Sequence, residues 1–559
     1  MRKKILLILF SILIIFGTFG LISCSGTTTS SSSKSSSKPS GSSSSDKTET
    51  DGTLIYKLIS AETHYMVESS YYEVVGVKNL EMTHCEIPET FKSLPVKLGI
   101  SAFQDCAKLK TVSFPNSVTY ISYMAFYNCT SLESMVLPER ITFIEMNAFY
   151  NCTSLKSITI PKTMERMAGG AFSSCTSLER VDYTGTIDEW ATISFESVGA
   201  NPLERGAQFY VSGQKVTDIV LNSVTKIGSN AFSGFDAVTS IEIGSQVTII
   251  GDGAFKNCEN VESITFKDNS QLKETGEGAF KGLINLRNVI IPDGVTEISV
   301  DSFKDCTSLV QVSIPSTVTI IDSNAFYNCG LLGKITYRGN SQLSEIGWYA
   351  FGKCHSLISI VIPSKLSKIE YGFGDCERLI EVIDLSSFGV EENKNQVFGG
   401  IYHQPNYFFT SLSQSKIVYK DDFVFLNDNG TYSLVGYCGI NDTLTLPSQI
   451  NGKDYIIAEK AFQGHEFIKK VTLNGGVTKI GRECFSYCPK LQEVKISSSV
   501  VEIEVKAFCP CSSLTKVVFD VTSGWRAVSA TNNVSLTLDD SAKNAEYLKD
   551  TYVYYEFLR

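Results

Sequence analysis

Short segments in which apolar and polar residues alternate recur along most of the chain. Ile158 and Ile160 flank one polar residue, and Val312 and Ile314 do the same. Alternation with a period of two predicts a short strand with one buried face. A proline follows many of these segments and ends the strand, because it has no N–H group to donate to a neighbouring strand. A second apolar segment of the form Val-Thr-x-Ile follows and predicts a second extended stretch.

A phenylalanine, usually preceded by alanine, closes each pair of segments and marks the period. Most steps are 23 residues; two are 25, where residues 269–272 and 340–343 lengthen a turn. One unit of this length cannot bury its apolar side alone, so stacked units must supply a continuous core. The pattern therefore predicts a β-dominated solenoid of about fourteen coils with parallel strand ladders. The marking residues are Phe103, Phe126, Phe149, Phe172, Phe232, Phe255, Phe280, Phe303, Phe326, Phe351, Phe373, Phe462, Phe485 and Phe508.

The complete unit reads Leu-x-x-Ile-x-Ile-Pro-x-x-Val-x-x-Ile-x-x-x-Ala-Phe-x-x-Cys, with its leucine at positions such as Leu155, Leu309 and Leu357. This unit resembles the BspA-like leucine-rich repeat proteins of bacterial surfaces, from about residue 52 to the end of the chain. The resemblance implies an α/β leucine-rich-repeat solenoid. It also implies an adhesin-like protein that binds host extracellular matrix proteins or other bacterial surfaces.

The N-terminus has the composition of an export signal. Arg2, Lys3 and Lys4 precede an apolar run that ends at Ile22, followed by Ser23 and Cys24. This arrangement is typical of a secretory signal, and its end resembles the bacterial lipobox. The resemblance implies lipidation of Cys24, export, and a lipid anchor in the outer face of a membrane. An uncleaved transmembrane anchor with an incidental cysteine is the alternative interpretation.

The rest of the chain divides at changes of composition and at breaks in the period. A serine-rich segment cannot bury enough apolar surface to fold, so it predicts a flexible tether. Alternating segments before each first repeat, one with the turn signal Asn429-Gly430, predict hairpin-like caps. A helical or mixed cap is expected at the C-terminus. The predicted organisation is a lipoprotein signal peptide at 1–23, the tether at 24–51, a first capped repeat block at 52–390 with a non-repeat insert near 183–221, a joint at 391–420, a second capped block at 421–520 and the C-terminal cap at 521–559.

Eleven cysteines lie three residues after a repeat phenylalanine, at positions that Phe235, Leu283 and His465 occupy in other coils. A position that accepts phenylalanine or leucine is a packing position, and free cysteine behaves as a small apolar residue. The sequence therefore predicts buried thiols, with disulfides between adjacent coils as the alternative. Four cysteines lie close together in the sequence of the last two repeats, and for them zinc ligation and a disulfide between adjacent coils are further alternatives: Cys484, Cys488, Cys509 and Cys511.

Composition limits the possible functions. The net charge is −10 with no basic stripe, which argues against nucleic-acid binding. Five scattered histidines and the absence of known catalytic or phosphate-binding motifs predict no enzyme, no cofactor and no metal site. A binding protein that uses one solenoid face is the leading hypothesis. The alternatives are a structural or spacer protein that self-associates, a glycan-binding protein, and an enzyme with an unrecognised site in the inserts.

No ligand-binding residue can be singled out from the sequence, but the strand pattern predicts which residues face outward. In each Ile-x-Ile segment the middle residue points away from the core. These middle residues are Ser113, Thr159, Asp182, Glu242, Thr265, Ser313, Thr336, Thr472 and Lys495, with the apolar Val136, Ile290, Val361 and Val518 among them.

Overall fold

The chain folds into a β-solenoid of about 19 turns. A computed structural model describes residues 48–61, 69–398, 408–410 and 414–559, with only the backbone described at 408–410. Residues 47–559 form one compact unit. Two ladders of parallel strands run along this unit, and we name them the front ladder and the rear ladder. The predicted repeat solenoid is therefore confirmed.

The front ladder contains the Ile-x-Ile strands, which pair in register from coil to coil. Ile158, for example, lies opposite Val181 in the next coil. The turns outnumber the fourteen repeat phenylalanines because five front strands belong to caps or irregular coils. The front strands are His84–Glu86, Thr111–Ser113, Ser134–Val136, Ser157–Ile160, Arg180–Tyr183, Gln208–Val211, Ile219–Leu221, Ser240–Ile243, Ser263–Phe266, Asn288–Ile290, Gln311–Ile314, Lys334–Tyr337, Ser359–Ile362, Glu381–Asp384, Phe408–Thr410, Thr443–Thr445, Lys470–Thr472, Glu493–Ile496 and Lys516–Phe519.

The rear ladder contains the second extended segment of each coil. Most of its strands have only two residues, because the chain turns at once toward the Ala-Phe corner. The rear strands are Tyr120–Ile121, Phe143–Ile144, Arg166–Met167, Ser194–Phe195, Lys226–Ile227, Ile249–Ile250, Glu274–Thr275, Glu297–Ile298, Ile320–Ile321, Glu345–Ile346, Lys368–Ile369, Tyr455–Ile457, Val477–Ile480 and Glu502–Ile503.

The repeat phenylalanines stack face to face through the core between the ladders. Ring centroids of Phe103, Phe126 and Phe149 are 5.2 and 5.3 Å apart in succession. From Phe232 to Phe373 the successive centroid distances are 5.1 to 5.6 Å. Each aromatic pair contributes about 0.5–1.5 kcal/mol beyond its buried area. The stacked phenylalanines therefore contribute much of the packing energy between neighbouring coils.

The cysteine column lies beside the phenylalanines and confirms the prediction of buried thiols. Cys129 donates its S–H to the carbonyl oxygen of Phe103 at 3.1 Å, and Cys152 donates to that of Phe126 at 3.2 Å. The same bond recurs in later coils, and burial raises the pKa of these thiols, for example to about 12 at Cys258. Cysteine therefore fills the core and satisfies a carbonyl group of the preceding coil.

Caps close the ends of the repeat blocks. The N-terminal cap is one sheet, and its first strand lies within the range predicted as tether, so the folded region begins before residue 51. In the second block, the predicted hairpin turn is confirmed, because Asn429 and Gly430 both have positive φ angles, as a tight hairpin requires. The N-terminal strands are Thr48–Thr50, Leu54–Ile59, Tyr71–Val77, Thr90–Phe91 and Leu94–Leu98; those of the second block are Ile417–Lys420, Phe423–Asp428 and Thr431–Tyr437.

The C-terminal cap is mixed, as predicted. The strands Trp525–Val528 and Asn533–Leu536 precede the helix Ser541–Glu546, which continues as a wider turn over Tyr547–Thr551. The last strand, Glu556–Leu558, pairs antiparallel with the final rear strand. It therefore covers the edge of the rear ladder at this end.

The predicted insert near 183–221 departs from the sequence period but stays in the solenoid. A helix, Ile187–Thr192, begins with a capping box between Thr186 and Glu189. Trp190 on this helix is fully buried, and its indole N–H donates to the carbonyl oxygen of Ala231 at 2.8 Å. The following 3₁₀ turn (Val198–Ala200) leads into a front strand, which forms a hairpin with Gln214–Lys215. The insert is therefore an enlarged coil.

Candidate binding surface

The front ladder presents a long outward face, and the predicted middle residues lie on it. Thr159 is accessible while Ile158 and Ile160 on either side are fully buried. None of the middle residues named from the sequence is buried. Val136 and Ile290 are 67% and 59% exposed, a high fraction for branched aliphatic side chains. The prediction of an accessible strand face is confirmed.

Strand pairing in the front ladder stops at four places in the first block, and two of these lie at the 25-residue coils. No strand pairing joins Ser263–Phe266 to Asn288–Ile290, or Lys334–Tyr337 to Ser359–Ile362, within the described part of the chain. Each of these two interruptions follows one of the two coils that are 25 residues long, whose extra residues lengthen the turn after the front strand.

A cavity lies at each of these two interruptions. The first has a volume of about 560 Å³ and is lined by Phe266, Ile290, Pro292 and the basic side chain of Arg338 among others. The Arg338 guanidinium pairs with Asp293 at 3.1 Å, which places a charged rim beside the apolar residues. Apolar walls with a few polar groups are the usual composition of a binding pocket.

The second cavity repeats the construction of the first. Its volume is about 440 Å³, and Tyr337, Val361 and Pro363 line it at the same repeat positions as Phe266, Ile290 and Pro292 in the first cavity. The two cavities lie three coils apart, or about 14 Å at the usual spacing of paired strands. Two equivalent cavities therefore open on one face.

The second repeat block packs against the edge of the first. Val310 and Leu331 of the first block are buried in the apolar core of the second block. Ile358 packs with Val424 and Val435 of the second cap. The predicted division into two blocks did not include this contact: the strand ladders of the two blocks are separate, and the second block lies beside the first.

A sequence signal for this contact existed. The residue after the repeat leucine is charged in early coils, as in Lys110, Glu133 and Lys156, and these side chains are exposed. The same position holds Val310 and Ile358 where the second block docks. Apolar residues at a position that is otherwise solvated predict a covered surface.

A half-buried arginine, Arg378, and a buried histidine, His465, lie together at the contact between blocks. Arg378 of the first block donates a hydrogen bond to the carbonyl oxygen of Val435, and no carboxylate of the described residues forms an ion pair with it. Burial lowers the pKa of Arg378 to about 10. Burial, and then the nearby Arg378 charge, lower the pKa of His465 to about 3. The contact therefore keeps His465 neutral.

A cleft of about 690 Å³ opens beside this pair, between the two blocks. Its walls carry charges of both signs: Glu377 and Arg378 from the first block, and Lys460 and Glu466 from the second. The hydroxyl of Ser308 donates to Glu466 across the boundary at 3.4 Å. The cleft exists because the second block packs against the first. The sequence period within one block does not predict that packing.

The remaining candidate residues do not form a reactive cluster. Cys484, Cys488 and Cys511 are buried free thiols and Cys509 is a partly exposed one. No group of three metal-binding side chains is found among the residues that the structure describes. A hydrogen bond from Cys488 lowers the pKa of Cys511, while burial raises that of Cys488. Cys24, His64 and His403 lie outside the described residues.

The sequence was also compared with known proteins. Segments 77–200, 206–332, 273–404, 334–425 and 436–547 match the profile of the BspA type Leucine rich repeat region, in six copies. These segments span most of the chain. The chain belongs to the BspA type leucine-rich repeat family. The resemblance inferred from the repeat unit is thereby confirmed, and a comparison with curated proteins finds no match.

Solved structures of leucine-rich repeat proteins are similar to this chain. One from Bacteroides ovatus is 22% identical over 64% of this chain and 98% of its own, with a TM-score of 0.43. One from T. pallidum is 25% identical over 44% and 92%, with a TM-score of 0.27. A leucine rich cell surface protein from Faecalibacterium prausnitzii is 18% identical over 86% and 96%, with a TM-score of 0.16. Across the described residues, every helix is too short or too polar to span a membrane.

Proposed function

We propose that the chain is an exported, surface-anchored binding protein that uses the front face of its first block to bind other proteins. The observation that carries this proposal is the pair of equivalent cavities on that face. The proposed partners are host extracellular matrix proteins or surface proteins of other bacteria, as the family resemblance implies. No catalytic activity is part of the proposal.

The geometry of the cavities supports an extended polypeptide partner. An extended chain advances about 3.3–3.6 Å per residue, so four residues span about 14 Å. Side chains separated by an even number of residues point to the same side of an extended chain. A partner segment that runs along the solenoid axis therefore places every fourth side chain over a cavity, against Ile290 in one and Val361 in the other.

Binding is tested with residues 47–559, which form the compact unit. The protein is immobilised and exposed to purified collagen, laminin and fibronectin, and to surface extracts of neighbouring bacteria. Saturable, competable binding supports the proposal. The double variant Ile290→Asp with Val361→Asp should weaken that binding by about tenfold or more, as expected for truncating a central apolar contact.

Val136→Asp is the matched control, because Val136 is also an exposed middle residue but lies away from both cavities. It should change the affinity by less than about twofold, as peripheral contacts do. Equal losses in the control and the double variant would contradict the assignment to the cavities. Saturable association of the protein with itself alone would favour a spacer role instead.

Anchoring is proposed to occur through a lipid on Cys24. More than one acyl chain is needed for stable membrane attachment, and the lipobox-like sequence implies a modification that supplies several. Cys24→Ala should release the protein into the soluble fraction after the signal is removed, or leave an unprocessed precursor that lacks incorporated fatty acid. Equal labelling with radioactive palmitate in the variant and the native chain would overturn lipidation at this residue.

A further inference from the structure

Four aromatic side chains gather at the Ala-Phe corner of the solenoid, away from both front cavities. We name Tyr327, Trp348, Tyr349 and Tyr371 the aromatic platform. Trp348 is 52% exposed and Tyr371 is 41% exposed, whereas the other two tryptophans of the chain are buried. The ring centroids of Trp348 and Tyr349 are 4.7 Å apart, and those of Tyr349 and Tyr327 are 6.1 Å apart.

The backbone conformation of two of these aromatic residues is unfavourable in free energy. Tyr349 and Tyr371 both have a φ angle of 51°, in the left-handed region. That region costs roughly 1–2 kcal/mol for residues with a Cβ atom, and asparagine tolerates it best after glycine. Most other coils of the first block accordingly place Asn, Asp or Gly here: Asn147, Gly170, Asn230, Gly253, Gly278, Asp301 and Asn324.

Two glycines make room for the central ring. Gly352 and Gly374 follow the repeat phenylalanine, where other coils carry residues such as Tyr150 and Lys281. A Cβ atom at Gly352 would lie 2.4 Å from the Tyr349 ring, and one at Gly374 would lie 2.7 Å from it. Both distances are too short for real contacts. The Tyr349 ring therefore lies close to the backbone of its own coil and of the next.

Polar groups of both charges surround the rings. The amines of Lys353 and Lys304 each lie 5.3 Å from the centroid of the Tyr327 ring. Lys304 is paired with Asp301 at 3.5 Å. Burial, and then the carboxylate of Asp375, raise the pKa of Tyr349. An amine and a carboxylate beside exposed aromatic faces supply a hydrogen-bond donor and an acceptor without a net charge. This balance disfavours an ionic ligand.

A sugar ring has the complementary chemistry. The axial C–H groups of a hexopyranose form an apolar face, which packs on the negative face of an aromatic ring, while its hydroxyls project from the edge and need both donors and acceptors. We propose that the aromatic platform binds a neutral, hexopyranose-containing glycan. Trp348 and Tyr371 stack on the sugar faces, and Lys353 and Asp375 hydrogen-bond to the hydroxyls. This site goes beyond the proposed protein-binding face and is independent of it.

Affinity electrophoresis of residues 47–559 tests this site. The gels contain soluble barley β-glucan, amylopectin, galactomannan or xyloglucan, with polygalacturonate as the acidic comparison. At least one neutral polysaccharide should retard the protein. Trp348→Ser and Tyr371→Asn should each raise the polysaccharide concentration for half-maximal retardation by about tenfold, because each removes one stacking surface.

The variants separate loss of binding from loss of folding. Asparagine adopts the left-handed backbone more easily than tyrosine, so Tyr371→Asn should keep or increase the urea midpoint while it weakens retardation. Met146 occupies the same repeat position as Trp348 and is 48% exposed, so Met146→Ser is the matched control and should leave retardation unchanged.

Three results would overturn the assignment. The first is that no neutral polysaccharide retards the native protein. The second is that Trp348→Ser and Tyr371→Asn are retarded as strongly as the native protein. The third is that the acidic polysaccharide alone retards it, since the platform carries no net charge that would select an anion.

Discussion

Replacing His465 by cysteine should reduce the loss of folding stability that this protein undergoes at acidic pH. His465 occupies the position that cysteine fills in most coils, so cysteine restores the repeat pattern. The histidine is 1% exposed, and its Nδ1 atom has no hydrogen-bond partner among the described residues. Tyr437, Phe462 and Phe467 surround its ring with centroids 5.5 to 6.1 Å away. The folded protein therefore keeps this imidazole neutral.

The size of the effect follows from the two pKa values. In the folded protein burial lowers the pKa of His465 to about 3, whereas an unfolded histidine has a pKa of about 6.5. Below pH 6.5 the unfolded chain binds a proton that the folded chain does not, so stability falls as the pH falls from about 6.5 toward 3. At pH 5 the loss is about 2 kcal/mol, and it is nearly absent at pH 7.5.

The assay is urea unfolding of residues 47–559 and of His465→Cys at pH 7.5 and pH 5, followed by tryptophan fluorescence and circular dichroism. All other titrating groups are common to both proteins. The difference between their unfolding free energies is therefore measured at both pH values, and its change between pH 7.5 and pH 5 reports this histidine. The native protein should lose about 2 kcal/mol more than the variant between the two pH values. An equal loss in both proteins would mean that His465 is protonated or accessible in the folded state, and would refute the argued burial.

Two further predictions concern the contact between blocks and the thiols. Ile358→Asp should weaken docking of the second block by about 3 kcal/mol or more, because it buries an unpaired carboxylate; small-angle scattering should show a larger radius of gyration. Lys156→Asp lies at the same repeat position, where the side chain is exposed, and should change neither the docking nor the radius of gyration. An Ile358→Asp protein with an unchanged radius of gyration would contradict the described contact. In folded residues 47–559, a thiol reagent should modify Cys509 alone, since the other fourteen cysteines are buried, whereas rapid modification of several thiols would contradict the buried column.

Sequence periodicity was sufficient for the coil and for its core. Ile158 and Ile160 are buried and Thr159 is accessible because a strand alternates its side chains, a rule that needs only neighbouring residues. The stacking of Phe149 on Phe126 and the hydrogen bond of Cys152 follow from the same repeat, since each coil meets a copy of itself. These contacts join residues about one repeat apart.

Sequence periodicity was insufficient where coils differ from one another. The sequence predicts longer turns in the two 25-residue coils, but the cavities beside them depend on where the next strand lies in three dimensions. The repeat pattern does not indicate the aromatic platform, because Trp348 and Tyr371 are exceptions to the residue types found at their repeat positions. These exceptions are visible in the sequence, whereas the room that Gly352 and Gly374 leave for Tyr349 is visible only in three dimensions.

The solenoid with its column of phenylalanines and thiols follows from the amino-acid sequence alone, because every contact in that core is repeated at a fixed spacing. The position of the second block beside the first is visible only in the folded chain. Arg287 donates to the carbonyl oxygen of Ile440, 153 residues away, at 3.0 Å, and a contact of that kind occurs once and follows no period. The environment of His465 depends on the same docking, since the Arg378 charge beside it comes from the other block.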